Sequence, residues 1–339
     1  MILGNAERSR PTFSVALPPS REVVEYARFA AQLGYERVWL FDSPAMYGDL
    51  WVAVARVAEA VPDVGVATGV AVTSLRHPMV TASAIATIEE LAPGRLACGF
   101  GTGATARWVL NKGALSWAST RRYVEQVRAL LLGEVVEIDG EQCQMIHHPD
   151  WARARPIDTP FLLSAFGPKG LEVASDMAGE GTIQGLFAMA DVDVPIDWRI
   201  QMCAGTVLEP GEAITDQRVK QALGPWYVVR YHGVWQMFPE GVGGLPEGEA
   251  WLAGVNAERP EGQRHLAVHE GHVTNVMPRD RAALDAAGDA LATTGWVGTR
   301  EELRAKAHAA EAAGTKEILF TPAGDIEREM RAFAEAILG

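Results

Sequence analysis

The sequence predicts an α/β fold, and within it a (β/α)8 TIM barrel with insertions, on three observations. Short apolar runs alternate with amphipathic segments along the chain, eight strand–helix units can be counted, and the runs are rich in Val, Ile and Leu on both faces. Strands of that kind belong to a parallel sheet covered on both sides, and eight units in series favour a closed barrel over an open doubly wound sheet. The 339 residues are 48% hydrophobic and 22% charged, a mixture that supports a sizeable core.

Taken in order, Thr12 to Leu17 (TFSVAL) reads as the first strand, and Ser20 is placed to cap a helix that stops at Gly34. Arg37 to Phe41 is the second strand, and Asp49 opens a helix carrying Leu50, Val52, Ala53 and Val57. Val64 to Thr73 is the third, with Pro78 starting a helix that ends near Leu91. Arg95 to Phe100 is the fourth, followed by a helix from Thr120 to Leu132. Pro160 to Ala165 then precedes a helix from Lys169 to Ala178, and Gly181 to Leu186 is the sixth strand. Arg199 to Val207 is the seventh and Glu317 to Thr321 the eighth, with a last helix from Asp325 to Leu338. Two stretches interrupt the pattern. Glu134 to Gln144 looks like a hairpin turning at Asp139-Gly140, within an insertion near 134–158, and residues 236–295 form a long Pro- and Gly-containing insertion. The sixth unit lacks a good helix, because Ala188 to Trp198 contains Pro195 and alternating Asp and Val. One domain spanning 1–339 with these insertions is the expectation.

A net charge of −13 argues against nucleic acid or an anionic membrane as partner, since both require clustered Lys and Arg. Cys98, Cys143 and Cys203 are scattered, an odd count without metal-ligand spacing, which points to a reducing compartment. The N-terminus has no apolar stretch of signal-peptide length, so a cytoplasmic protein is expected.

In a barrel of this kind the strand C-termini carry function. They supply Asp42, Ser43 and Tyr47 after the second strand, Thr73, Ser74, Arg76 and His77 after the third, Gly99 to Gly103 after the fourth, and Phe166-Gly167-Pro168-Lys169 after the fifth. The run Gly99-Phe100-Gly101-Thr102-Gly103 reads either as a phosphate cradle or as a turn needing glycine torsions; it is not a full GxGxxG fingerprint. Gly167-Pro168-Lys169 is either an anion site, with proline at the first helical position and free N–H groups behind it, or an ordinary helix start. Asp42 can accept a hydrogen bond from a ring N–H or hydroxyl, act as a base, or cap its loop. His269, Glu270 and His272 have histidines three apart, whereas the zinc-protease pattern has them four apart on a helix, so no metal is expected. Trp226, Tyr227 and Trp235 read as core packing. No GxSxG elbow, Walker loop or Cys/His nucleophile is present, which directs attention from hydrolysis to chemistry that a cofactor performs.

Several stretches together resemble the luciferase-like oxidoreductases, the superfamily of bacterial luciferase, flavin-dependent alkane monooxygenases and deazaflavin (coenzyme F420)-dependent reductases. They are Leu33 to Trp39 with Asp42; Thr68 to Thr73 with Arg76-His77-Pro78; Ala92 to Leu96 running into Gly99–Gly103; Phe166 to Lys169; Gly298 to Leu303; and Ala312 to Gly314. The resemblance covers nearly the whole chain and is nearest to the methylenetetrahydromethanopterin-reductase-like branch. It implies a (β/α)8 barrel, coenzyme F420 or alternatively FMN as cofactor, and a small organic substrate. It also implies a homodimer. By the same resemblance a non-proline cis peptide falls at Gly69-Val70, behind the cofactor ring. The ring then lies near Asp42 and Thr73, and the phosphate side runs past Gly101, Thr102 and Gly103 toward Phe166, Gly167 and Lys169. Proton-relay candidates are Tyr47, His77 and Ser43, then His232 or His269. Sugar-phosphate dehydrogenases of the branch carry His and Glu where this chain has Ser43 and Ala104, so their reaction is not expected here. Three functions follow: an F420-dependent reductase or dehydrogenase, an FMN-dependent monooxygenase, and a non-catalytic barrel.

Overall fold

The computed structural model describes residues 11–189 and 192–339; the N-terminal segment read above lies outside them except for its last residue. Eight parallel strands close into a barrel: β1 (Thr12–Leu17), β2 (Arg37–Leu40), β3 (Gly65–Val72), β4 (Leu96–Gly101), β5 (Phe161–Ser164), β6 (Gly185–Ala188), β7 (Trp198–Cys203) and β8 (Glu317–Phe320). The strands follow sequence order around the ring, with β8 beside β1. Helices Val23–Gln32, Leu50–Ala60, Pro78–Leu91, Trp117–Leu132 and Pro168–Gly179 link the first six strands. The local signals behind them are mostly those expected. The Asp49 side chain accepts from the N–H groups of Trp51 and Val52, and Gly34 and Gly133 end their helices with φ of 85° and 86°.

Each strand contributes one side chain to the barrel interior: Ala16, Trp39, Ala67, Ala97, Leu162, Phe187, Ile200 and Leu319. The two large rings, Trp39 and Phe187, meet edge-to-face at 4.8 Å, and the three alanines and Gly99 make room for them. At the opposite end from the strand C-termini the fully buried Glu317 carboxylate accepts from Arg37 (3.0 Å), Trp39 Nε1 (2.8 Å) and Trp198 Nε1 (3.0 Å). A buried carboxylate with this many donors is satisfied and pins β8 to β2 and β7.

Three expectations change. Ser20 caps nothing; the first helix begins at Val23 after Glu22. The sixth strand starts at Gly185 rather than Gly181, because Gly181 (φ 78°) terminates the preceding helix and Thr182 still bonds back to Met177. The long seventh strand is split: β7 ends at Cys203, and Gly205–Val207 pairs in parallel with Trp296–Gly298 instead. A Cβ at Gly205 would overlap the Trp296 carbonyl, so glycine permits that pairing. The insertion 236–295, read without elements of its own, is largely helical. The hairpin is found as Val136–Ile138 and Glu141–Cys143, with Asp139 and Gly140 both at positive φ. Between Ala188 and Trp198 there is no helix among the described residues.

The chain forms two compact units. Among the described residues the first holds 11–106, 114–189, 192–202 and 310–319; the second holds 107–113, 203–309 and 320–339. The second unit has its own core, in which Tyr227, Tyr231 and Trp251 pack with Leu223, Val255 and Leu284, drawing on helices Gln217–Tyr227, Val229–Met237, Gly248–Glu258 and Arg281–Ala287. No helix among the described residues is long and apolar enough to cross a membrane.

Candidate active site at the strand C-termini

The third strand bends where it reaches the mouth of the barrel. Its register against β4 shifts between Thr68 and Ala71, and the Gly69–Val70 peptide in that interval is cis, as the resemblance implies. A Cβ on Gly69 would sit 3.0 Å from the Trp39 side chain, so the bulge is fitted closely over the interior.

Asp42 follows β2 and is turned toward this bulge. Its Oδ2 accepts from Val72 N–H at 2.9 Å and from Arg76 at 2.8 Å, and Arg76 in turn reaches Asp49 at 2.8 Å. Asp42 Oδ1 is buried and has no partner, and the neighbouring Thr73 hydroxyl is also buried without one. Burial pushes the Asp42 carboxyl above its usual range, against the pull of the Arg76 guanidinium. Asp49 is less desolvated, and the Arg76 hydrogen bond holds its carboxyl below the usual range. A buried acceptor, and a buried hydroxyl on the residue next to the one that holds Asp42, both unsatisfied, are what a polar-edged flat ligand would complete. Arg76 was read as a strand-end residue without an assigned role; its part in fixing Asp42 becomes visible with the bulge that brings residues 72 and 42 together.

The glycines after β4 pack against the same bulge. Gly101 lies opposite Val72 in register, and a Cβ there would meet Val70 Cγ2 at 2.9 Å and the Ser164 Cβ of β5 at 3.6 Å. At Gly103 (φ 74°) a Cβ would overlap the Val72 side chain. Both glycines are therefore required by protein packing before any phosphate is considered, and this packing brings the ends of β3, β4 and β5 together. Thr102 is half-buried and its carbonyl accepts from Leu115 N–H. A short helix, Ala104–Trp108, which the sequence reading did not foresee, follows directly.

Past β5 the chain is open. Phe166, Gly167, Pro168 and Lys169 are exposed, and a Cβ on Gly167 would meet nothing within 4 Å. Gly167 is the N-cap of a twelve-residue helix with proline at its start and no side-chain cap, so first-turn N–H groups are left for another acceptor.

The relay candidates separate. Ser43 is buried and its carbonyl accepts from the N–H groups of Met46 and Tyr47, while the half-buried Tyr47 ring packs on Phe41 at 5.8 Å. His77 has a structural role: its Nδ1 accepts from Met79 N–H, making it the N-cap of helix Pro78–Leu91, and its Nε2 lies 3.8 Å from Asp139. A ring nitrogen committed to a helix end is a weak proton shuttle. A groove of about 970 Å³ lined by Thr73, Arg76, His77, Tyr123 and Asp139 runs from there to Thr182, along the outer face of helix Trp117–Leu132. His232 and His269 belong to the second unit, where they meet His272. The His269–His272 spacing was legible; the third histidine, 37 positions before His269, gave no signal that they would converge.

Residues 4–190 match the family model described as luciferase-like monooxygenase. A 5,10-methylenetetrahydromethanopterin reductase of Methanolobus tindarius is 28% identical over 203 residues, 57% of this chain and 59% of that protein, so the chain spans about three fifths of the length of this curated relative. The coenzyme F420-dependent tetrahydromethanopterin reductase of Methanopyrus kandleri superposes with a TM-score of 0.62 at 16% identity, covering 97% of this chain and 99% of that one. The FMN complex of the oxygenating constituent of 3,6-diketocamphane monooxygenase from Pseudomonas putida superposes with a TM-score of 0.60 at 11% identity, covering 96% of each chain. On the family match, which covers more than half its length, the chain belongs to the luciferase-like monooxygenase family, a family of oxidoreductases.

Proposed function

We propose that this protein is a coenzyme F420-dependent oxidoreductase acting on a small organic substrate. The observation that carries this reading is the pair of buried, unpartnered groups at the barrel mouth, Asp42 Oδ1 and Thr73 Oγ1, beside the Gly69–Val70 bulge. The curated relative from Methanolobus and the structural neighbour from Methanopyrus, both reductases by name, support it.

When bound, the deazaflavin supplies a carbon centre that gives or takes a hydride. The protein's part follows from its own residues. Asp42 accepts a hydrogen bond through Oδ1 while Val72 N–H and Arg76 hold Oδ2, so the carboxylate is oriented before anything binds. Thr73 donates or accepts alongside it. Gly69 and Val70 form the wall on one side. Gly101, Thr102 and Gly103 border the path to Phe166, Gly167 and Lys169, whose helix N-terminus and ammonium suit a phosphate. Ser43 and Tyr47, on the loop after β2, are the hydroxyls nearest in sequence to Asp42 and are assigned the proton relay. A small organic substrate and a cytoplasmic homodimer complete the reading.

FMN is the second reading, favoured by the likeness to the FMN-bound monooxygenase. Titration of the purified chain with coenzyme F420 and with FMN, followed by the fluorescence of its ten tryptophans, separates the two. Micromolar affinity for F420 and weaker affinity for FMN are expected; FMN binding without F420 binding overturns the proposal.

A further inference from the structure

Three histidines converge in the interior of the second unit. His232 stands on helix Val229–Met237, His269 ends helix Arg264–His269, and His272 follows in the turn at Gly271 (φ 75°). They are 1%, 1% and 4% exposed, and one ring nitrogen of each lies within 4.8 Å of one from each of the others. The Nδ1 atoms of His232 and His272 face each other at 2.8 Å. We propose that this cluster is a binding site for a single zinc-type divalent transition-metal ion.

The chemistry of the donors supports this in four ways. First, three imidazoles gathered away from water form the ligand set that Zn²⁺ and its neighbours prefer, with no carboxylate or thiolate required. Second, the site is polar and incomplete: His269 Nδ1 is buried with no hydrogen-bond partner. Unpaired nitrogens in such a place are costly, and a metal uses lone pairs of this kind. Third, Gln236 Oε1 lies 3.3 Å from His269 Nε2, so with the amide oxygen accepting, the His269 proton is on Nε2 and the lone pair is on the partnerless Nδ1. An outer hydrogen bond that fixes a ligand's tautomer is a regular part of metal–imidazole sites. Fourth, all three rings are buried, and an apolar surrounding favours the neutral imidazole that coordinates.

The geometry requires a modest contraction: the ligand nitrogens lie within 4.8 Å of one another, so the widest separation closes by up to about 1.5 Å. Tetrahedral zinc with bonds of about 2.0–2.1 Å sets ligand nitrogens roughly 3.3 Å apart, so the His232 and His272 nitrogens need to part by about half an ångström. Trp108 stacks on His269 at 5.7 Å and Trp251 lies 6.0 Å from His232, giving the rings rigid apolar walls. The nearby cation Arg279 is neutralised by Glu258 at 2.6 Å, and its other nitrogen donates to the Glu270 carbonyl at 3.1 Å. No fourth His, Cys, Asp or Glu joins the cluster among the described residues, which leaves one coordination position for water. The ion would tie the helix carrying His232 to the turn carrying His272.

The test uses the full chain, stripped with a chelator and titrated with Co(II) as the optical probe. Visible bands of tetrahedral Co(II) at one ion per chain, bleached by Zn(II), are expected, together with a rise in melting temperature on adding Zn(II). His272→Gln should lose the bands, Gln236→Ala should bind roughly tenfold more weakly, and a His147→Ala/His148→Ala double variant should behave as wild type. Absence of bands and of thermal stabilisation in the wild-type chain overturns the site. So does metal binding that survives in His272→Gln or disappears in the double variant. Should His272→Gln not fold, imidazole ¹⁵N shifts in the wild-type titration decide: movement of His232, His269 and His272 supports the site, and movement confined to other histidines refutes it.

Discussion

Replacing Asp42 by Asn separates the two jobs this side chain has. Its Oδ2 is engaged by Val72 N–H and Arg76, while its Oδ1 is buried and free. An asparagine that keeps its oxygen toward Val72 and Arg76 must turn its amide into the space Oδ1 occupied, so a donor replaces an acceptor. Arg76 loses a charged partner but keeps Asp49 at 2.8 Å, which limits the stability loss to about 1–2 kcal/mol. Binding suffers more. A ring N–H or hydroxyl that had met a carboxylate now meets an N–H₂ group, costing roughly 1.5–3 kcal/mol, or about 10- to 150-fold in affinity. Urea unfolding reads the first quantity and fluorescence titration with coenzyme F420 the second. A folded Asp42→Asn protein that binds F420 as tightly as wild type would refute the assignment of Oδ1 to the cofactor and leave Asp42 a purely structural anchor for the bulge.

Four further outcomes are expected. Lys169→Ala should weaken F420 binding about tenfold, near 1.4 kcal/mol, measured in the same titration; an unchanged affinity moves the phosphate elsewhere. Gly103→Ala should lower stability by about 1–3 kcal/mol in urea, because the position has φ 74° and a Cβ there collides with Val72. His77→Ala should cost about 1 kcal/mol through loss of the cap on helix Pro78–Leu91 and leave turnover of any identified substrate unchanged; a large fall in turnover with stability intact would restore His77 to the relay. In chelator, stability should fall as pH drops below about 6.5. His272 and His269 have folded values lowered to about 4 and about 3, so the unfolded chain binds more protons in that range and each ring costs up to about 1.4 kcal/mol per pH unit. Urea midpoints at pH 7.5 and pH 5 measure this, and a flat profile contradicts the buried, neutral state of the cluster.

Much of the barrel was legible because its signals are local. Thr12–Leu17 and Pro78–Leu91 match the sequence reading to the residue, since a β-branched run and a proline-started, both-face-apolar helix need no tertiary information. Errors fell where glycine was ambiguous. Gly181 ends a helix instead of starting a strand, and Gly205 breaks β7 because its neighbour in space, Trp296, lies 91 positions away. At the mouth, the strand-end rule located Asp42, Thr73 and Gly101–Gly103, but the hydrogen bonds that leave one Asp42 oxygen free depend on a bulge in another strand. The capping role of His77 was open to the same local reading, since a histidine just before a helix proline stands at the N-cap position. The three-histidine cluster joins a helix to a distant turn and lay beyond any spacing rule.

The most direct test of the account is a crystal structure of the chain grown with coenzyme F420. The account predicts the deazaflavin ring against Gly69–Val70, with a polar ring atom within hydrogen-bonding distance of Asp42 Oδ1 and the phosphate at the Gly167–Lys169 helix start. Density for F420 anywhere else, or a mouth that admits only FMN, would contradict it.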